Sequence, residues 1–228
     1  TVMQHLAAGI SPKEISNAPF TPATGFGTCY QLAELGLLGC GSVYLPPCAA
    51  GYVGGDITAA VLASGMAERE ELQLLIDIGT NGEMALCVQG KLYACSTAAG
   101  PAFEGAHIAC GCGGVTGAVD TVTATESGFS YTTIGGAAPT GICGSGLIDA
   151  LAALLKTGLC DETGRLCDAD EVEEPYAAYL EETDDGNRFV LDGEKGLYLT
   201  QKDIRELQLA KAAIAAGITT LLHHMGKE

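Results

Sequence analysis

A chain of 228 residues with 47% hydrophobic content carries enough apolar surface for a substantial core, so it reads as a folded globule of one large or two small domains. No run approaches the ~18 to 20 consecutive apolar residues of a membrane helix, and Thr1 to Gly9 lack the basic flank and long apolar stretch of a signal peptide, which points to a soluble cytoplasmic protein with no membrane partner. A formal charge of −17, from 28 acidic against 11 basic residues, repels phosphate backbones and argues against a nucleic-acid partner.

The ten cysteines are scattered through a long Ala- and Gly-rich chain, unlike the dense staples of small secreted domains, and read as reduced thiols. None forms a CxxC pair, and Cys110-Gly111-Cys112 has no matching Cys or His pair at finger spacing, so neither zinc nor an iron-sulfur cluster is expected on this chain.

In chain order, residues 1 to 8 have a helical apolar pattern ending at Gly9, and the prolines of Ala18-Pro19-Phe20-Thr21-Pro22 predict an extended connector. After Tyr52-Val53-Gly54-Gly55-Asp56, a small-residue helix is expected over Ile57 to Arg69 with Asp56 as its N-cap. Leu72 to Ile78, Glu83 to Val88 and Leu92 to Cys95 are β-rich runs joined by Asn81-Gly82 and Gly90-Lys91, which predicts a three-stranded antiparallel meander. Ala98 to Ile108 is expected to be helical. Gly117 to Ala124 and Phe129 to Thr133 predict a second hairpin, and Gly146 to Thr157 a helix stopped by Gly158. Strands followed by helices in this way give the ribonuclease-H-like order. The stretch from Asp161 to Glu182 holds nine carboxylates in 22 residues and reads as a solvated face. Phe189 to Leu191 and Gly196 to Leu199 then predict short strands. Thr200 is expected to cap a long helix from Lys202 to about His224, with apolar residues at 204, 207, 209, 214, 218 and 221.

Three segments carry chemistry. Asp77-Ile78-Gly79-Thr80-Asn81-Gly82-Glu83 falls at the first turn of the meander. Gly79, Thr80, Asn81 and Gly82 let backbone N–H groups approach a phosphate, Asp77 is placed to hold Mg²⁺ directly or through water, and Glu83 to orient a water. The bland alternative is an ordinary Asn-Gly hairpin turn. Gly141-Ile142-Cys143-Gly144-Ser145-Gly146 leads into a helix, so Gly141, Gly144, Ser145 and Gly146 are candidates for an anion site; equally, such a cluster simply makes a tight helix entry. Cys95 to His107 is a small-residue turn with Glu104 and His107 three apart, a candidate wall of the site, although His107 reads first as a satisfied structural residue. The chain has no GxGxxG or GxxxxGK[ST] loop, against a NAD enzyme and a P-loop ATPase, and no GxSxG elbow, against a hydrolase.

Together these segments, with Thr1 to Leu6, Ala18-Pro19-Phe20, Tyr52 to Asp56, Ser96 to Gly105, Gly141 to Asp149 and Thr200 to Lys211, resemble the C-terminal ATPase region of the ferredoxin-like, ATP-dependent reductive activators of corrinoid proteins. The resemblance implies an α/β fold of ribonuclease-H-like lobes, as in the actin, sugar-kinase and heat-shock-chaperone superfamily, here incomplete. Residues 1 to 70 would be a remnant of the first lobe with a connector, and 71 to 228 the second lobe without its C-terminal end. It also implies ATP and Mg²⁺ as ligands, and a corrinoid methyl-transfer protein as partner. The 2Fe-2S cluster that supplies the electron would lie in an N-terminal domain outside this chain. Asp77 and Glu83 would then be the catalytic carboxylates of an ATPase domain that drives reduction of Co(II) corrinoid. A homodimer is compatible with this reading. The rival readings are a non-catalytic docking module and a small-molecule kinase of the same superfamily.

Overall fold

The computed structural model describes residues Thr1–Gly226, which divide into two compact units. The first contains Thr1–Ile78, Gly82–Thr97 and the described residues from Ala215; the second contains Gly79–Asn81 and Ala98–Ile214.

The first unit opens with α1 (Val2–Ala7), where the sequence placed it. The proline-rich connector is not extended throughout: Phe20 N–H bonds the Asn17 carbonyl at 2.7 Å, closing a turn. A short hairpin follows, β1 (Thr28–Gln31) paired antiparallel with β2 (Ser42–Leu45), which the hydrophobic pattern did not mark. Helix α2 (Gly55–Ser64) is shorter than expected, because Gly65 turns left-handed at φ 64° and closes it. Its N-cap is Gly54 rather than Asp56; Asp56 lies in the first turn, where its carboxylate accepts the Ile57 N–H at 2.9 Å. The meander forms as read, with β3 (Gln73–Ile78), β4 (Gly82–Val88) and β5 (Lys91–Thr97) in the order β3-β4-β5, all antiparallel. Met84, Ala85, Leu86 and Cys87 on the central strand are all buried, so β4 is covered on both faces. Ala85 and Cys87 pack with Val53, Ile57, Val61 and Met66 into this unit's core.

In the second unit the helix expected over Ala98 to Ile108 does not form. Gly100 (φ 80°) and Gly105 (φ 79°) adopt left-handed backbone on either side of Pro101–Glu104, clipping the segment to a single 3-10 turn. The hairpin of β6 (Ala118–Thr125) and β7 (Gly128–Thr133) is as expected, and β6 also pairs in parallel with the two-residue β8 (Gly141–Ile142). Helix α3 (Gly144–Thr157) ends at Gly158, in agreement with the reading, and begins two residues earlier than predicted. Beyond the acidic stretch lies a second antiparallel sheet in the order β11-β10-β9, from β9 (Leu180–Thr183), β10 (Gly186–Asp192) and β11 (Leu197–Thr200). β10 and β11 were legible and β9 was not. The core gathers Leu147, Leu154, Phe189, Leu199, Ile204 and Leu207, all buried, with Phe129 set edge-on to Phe189 at 4.9 Å between ring centroids.

The last helix, α4 (Gln201–His224), is capped as predicted. The Asp203 N–H bonds Thr200 Oγ1 at 3.2 Å, and Asp203 Oδ2 accepts the Thr200 N–H at 2.8 Å. Ile204, Leu207 and Leu221 are buried as the periodicity requires, whereas Leu209 is exposed.

Candidate functional site

The β3–β4 hairpin sets Asp77 directly opposite Glu83, with Ile78 opposite Gly82 one step nearer the turn. Directly opposed residues project from the same face of a sheet with Cβ atoms roughly 5 Å apart, and like charges so placed repel. Backbone register sets the two residues opposite one another, so their juxtaposition follows from the meander the sequence encodes. No group of three or more His, Cys, Asp or Glu side chains with metal-site geometry occurs among the described residues.

The turn itself, Gly79–Asn81, is fixed by a separate set of contacts within the second unit. Gly79 N–H bonds the Asn81 carbonyl at 3.2 Å, and Gly100 N–H bonds the Thr80 carbonyl at 2.9 Å. Glu104, at the end of the Pro101–Glu104 turn, grips Thr80 with both carboxylate oxygens. Thr80 N–H donates to Oε1 at 2.9 Å and Thr80 Oγ1–H to Oε2 at 2.8 Å. These two bonds hold the Glu104 carboxyl below the usual carboxylate range. A Cβ at residue 79 would stand 3.2 Å from Glu104 Oε1, a tight contact that Gly79 avoids. Thr80 therefore aims a backbone donor and a hydroxyl donor at one anionic group at the protein surface.

The same 3-10 turn also touches the second glycine cluster. The Phe103 carbonyl packs on the Cα of Gly144 so tightly that any Cβ at 144 would collide with it. Gly146 packs likewise on the Val119 carbonyl, and Gly141 on Cys110 and Cys112. Backbone bonds fasten this strand end on both sides: Cys112 N–H to the Ile142 carbonyl at 3.0 Å, Ile142 N–H to Cys110 at 2.7 Å, and Cys143 N–H to Val119 at 3.1 Å. These glycines thus serve close packing, the plainer of the two readings. Helix α3 nonetheless begins without a side-chain cap, so its first-turn N–H groups keep the character of an anion site, with the exposed Ser145 hydroxyl beside them. Asp149 is engaged structurally, its Oδ2 accepting the Val122 N–H at 3.4 Å.

Within the second unit the Pro101–Glu104 turn touches both segments, Thr80 through Glu104 and Gly144 through Phe103, while Asp77, Glu83 and Gly82 sit on the strands that carry the first loop. Sequence reasoning paired Glu104 with His107 on a helix face. With no helix there, His107 turns to φ 64° and Glu104 finds Thr80 instead, 24 residues away. A carboxylate directly following Gly-Pro-Ala-Phe was the available signal for a residue placed by a tight turn. An uncapped helix start and a turn that already binds a carboxylate each have the character of an anion site.

Residues 71–228 match the family described as the C-terminal domain of RACo, the ASKHA domain, and residues 1–69 match the RACo middle region. The chain is 36% identical over 241 residues to the corrinoid activation enzyme RamQ of Eubacterium limosum, covering 99% of this chain and 40% of that protein. Over 206 residues it is 27% identical to the Co(II) methylated amine-specific corrinoid protein reductase of Methanosarcina barkeri, covering 81% of this chain and 34% of that one. Among solved structures it is similar to a reductive activator for corrinoid, iron-sulfur protein, with a TM-score of 0.84 and 41% identity over 99% of this chain and 37% of the other. The chain therefore spans about 40% of the length of the first of these relatives. On this evidence it belongs to the RACo family of reductive activators, comprising the middle region and the ASKHA domain.

Proposed function

We propose that this chain is the ATP-binding part of a reductive activator that returns an inactive Co(II) corrinoid, held by a methyl-transfer protein, to Co(I). The observation that carries the nucleotide reading is the pair of Thr80 donors converging on a carboxylate, because a phosphate oxygen presents the same charge and acceptor geometry. Gly79, Thr80, Asn81 and Gly82 would line the phosphates, and the start of α3 at Gly144, Ser145 and Gly146 would offer N–H groups to them, with Gly141 shaping the entry. Asp77 would hold Mg²⁺ through water, and Glu83 opposite it would orient a water. Bound ATP supplies the free energy that makes an uphill one-electron reduction favourable. The electron would come from a 2Fe-2S domain outside this chain. A cytoplasmic setting suits ten cysteines that are all free thiols.

The names of the relatives support the corrinoid partner, and the ASKHA family supports the nucleotide. The test is visible spectroscopy of a Co(II) corrinoid protein mixed with the full-length activator and a low-potential reductant. Co(I) is expected to accumulate only when Mg-ATP is present; equal reduction without nucleotide would overturn the proposal.

A further inference from the structure

Glu104 occupies the donors that the proposed phosphate site needs. Its two oxygens saturate both the N–H and the hydroxyl of Thr80, and it is brought there by a turn whose other end is anchored: Gly100 N–H bonds the Thr80 carbonyl, and the Phe103 carbonyl is pressed against Gly144. The contact is therefore built by the fold rather than by a wandering surface side chain. A triphosphate competes with the carboxylate for those donors, because both Thr80 protons are already given to Glu104 and the two anions repel each other.

We propose that Glu104 is an internal anion that closes the phosphate turn and must be displaced when nucleotide binds, which makes it a specificity-setting latch of this site. The inference rests on the nucleotide reading above. It carries three consequences. Ligands too weakly charged to outcompete a carboxylate leave the turn closed, so the site selects for polyphosphate with its metal over single anions such as inorganic phosphate. Displacement frees the Pro101–Glu104 turn from Thr80 while Gly100 still holds the other side, so the presence of nucleotide is passed to the turn that packs on the start of α3. Because the competent state is only a fraction of the nucleotide-free population, removing the carboxylate raises apparent affinity by the inverse of that fraction.

The experiment is titration calorimetry of Mg-ATP and of inorganic phosphate into the full-length protein and its Glu104→Gln and Glu104→Ala variants, alongside NMR of the Thr80 amide and the Glu104 carboxyl carbon. Glu104 is exposed, so neither variant threatens the fold. The latch predicts Mg-ATP binding about threefold to thirtyfold tighter in both variants. In the wild type it also predicts that the Thr80 and Glu104 resonances shift together on adding nucleotide and stay in place with inorganic phosphate. If ATP binds but the variants bind no tighter, or the Gln variant binds more weakly because Glu104 helps hold the metal, the latch is wrong and the nucleotide site stands. If neither wild type nor variants bind Mg-ATP, the nucleotide reading fails and takes the latch with it.

Discussion

Asp203 is only 1% exposed and is tied down on every side: Oδ1 accepts the Ala109 N–H at 2.9 Å, and Oδ2 accepts the N–H and hydroxyl of Thr200 at 2.8 and 2.9 Å. Its capping role was visible in the sequence as Thr200 followed three residues later by an acid; its hold on residue 109, 94 positions away, was not. Asp203→Ala leaves three partly buried donors unanswered, so a loss of about 1–3 kcal/mol is expected in urea unfolding. Gly144→Ala should also cost about 2 kcal/mol or more, since the new methyl must displace the Phe103 carbonyl from a packed turn. A pH signature belongs to Tyr131 and Asp192, joined by a 2.6 Å hydrogen bond from phenol to carboxylate. That bond lowers the Asp192 carboxyl and pushes Tyr131 up to about 12. Asp192's share of stability is therefore present above the ordinary carboxylate range and lost as pH falls through its lowered value; Tyr131's is lost only as pH rises toward 12. Tyr131→Phe should move Asp192 back toward the ordinary range by carbon NMR, the Lys195 N–H still holding it down in part, and its stability deficit should shrink in acid.

At the scale of elements, strands and helices were legible where one physical signal dominated. The meander was readable because three β-rich runs are separated by Asn-Gly and Gly-Lys turns, and α4 because a cap and a 3.6-residue period agree. The failures had the opposite character. Ala98 to Ile108 carries helix-forming residues, but two glycines and a proline overrode them; β1, β2 and β9 are too short and too exposed for alternation to register. Leu209 fits the helical period yet stays in solvent, because the stripe that packs is set by the neighbours and not by the helix alone. Gly217, in the C-terminal half of α4, tests the same point. Replacing a helix-interior glycine by alanine normally stabilises by about 1 kcal/mol. Here the added Cβ would lie 2.6 Å from Thr97 Cγ2 and 2.9 Å from Met84 Cε. Gly217→Ala is therefore expected to lower stability by about 1 kcal/mol in thermal unfolding, reversing the usual sign.

For the molecule as a whole, the −17 charge is the main long-range term. Self-repulsion of this size is screened by salt, so the unfolding midpoint should rise by a few degrees between about 20 and 200 mM sodium chloride. The candidate site was half legible. Asp77 to Glu83 announced itself because an acid, two glycines and a hydroxyl fall at one hairpin turn, while the role of Glu104 depends on a contact that only the folded chain creates. The glycines of the second cluster were ambiguous in sequence, and their tight packing shows why: small residues are demanded by close backbone approach whether or not a ligand is near. The account stands or falls on the first loop. Titration calorimetry of Mg-ATP into the full-length protein and its Asp77→Ala variant tests it most directly. Saturable binding by the wild type, weakened about tenfold or more in the variant, is the expected result; no heat of binding, or equal affinity in both proteins, would contradict it.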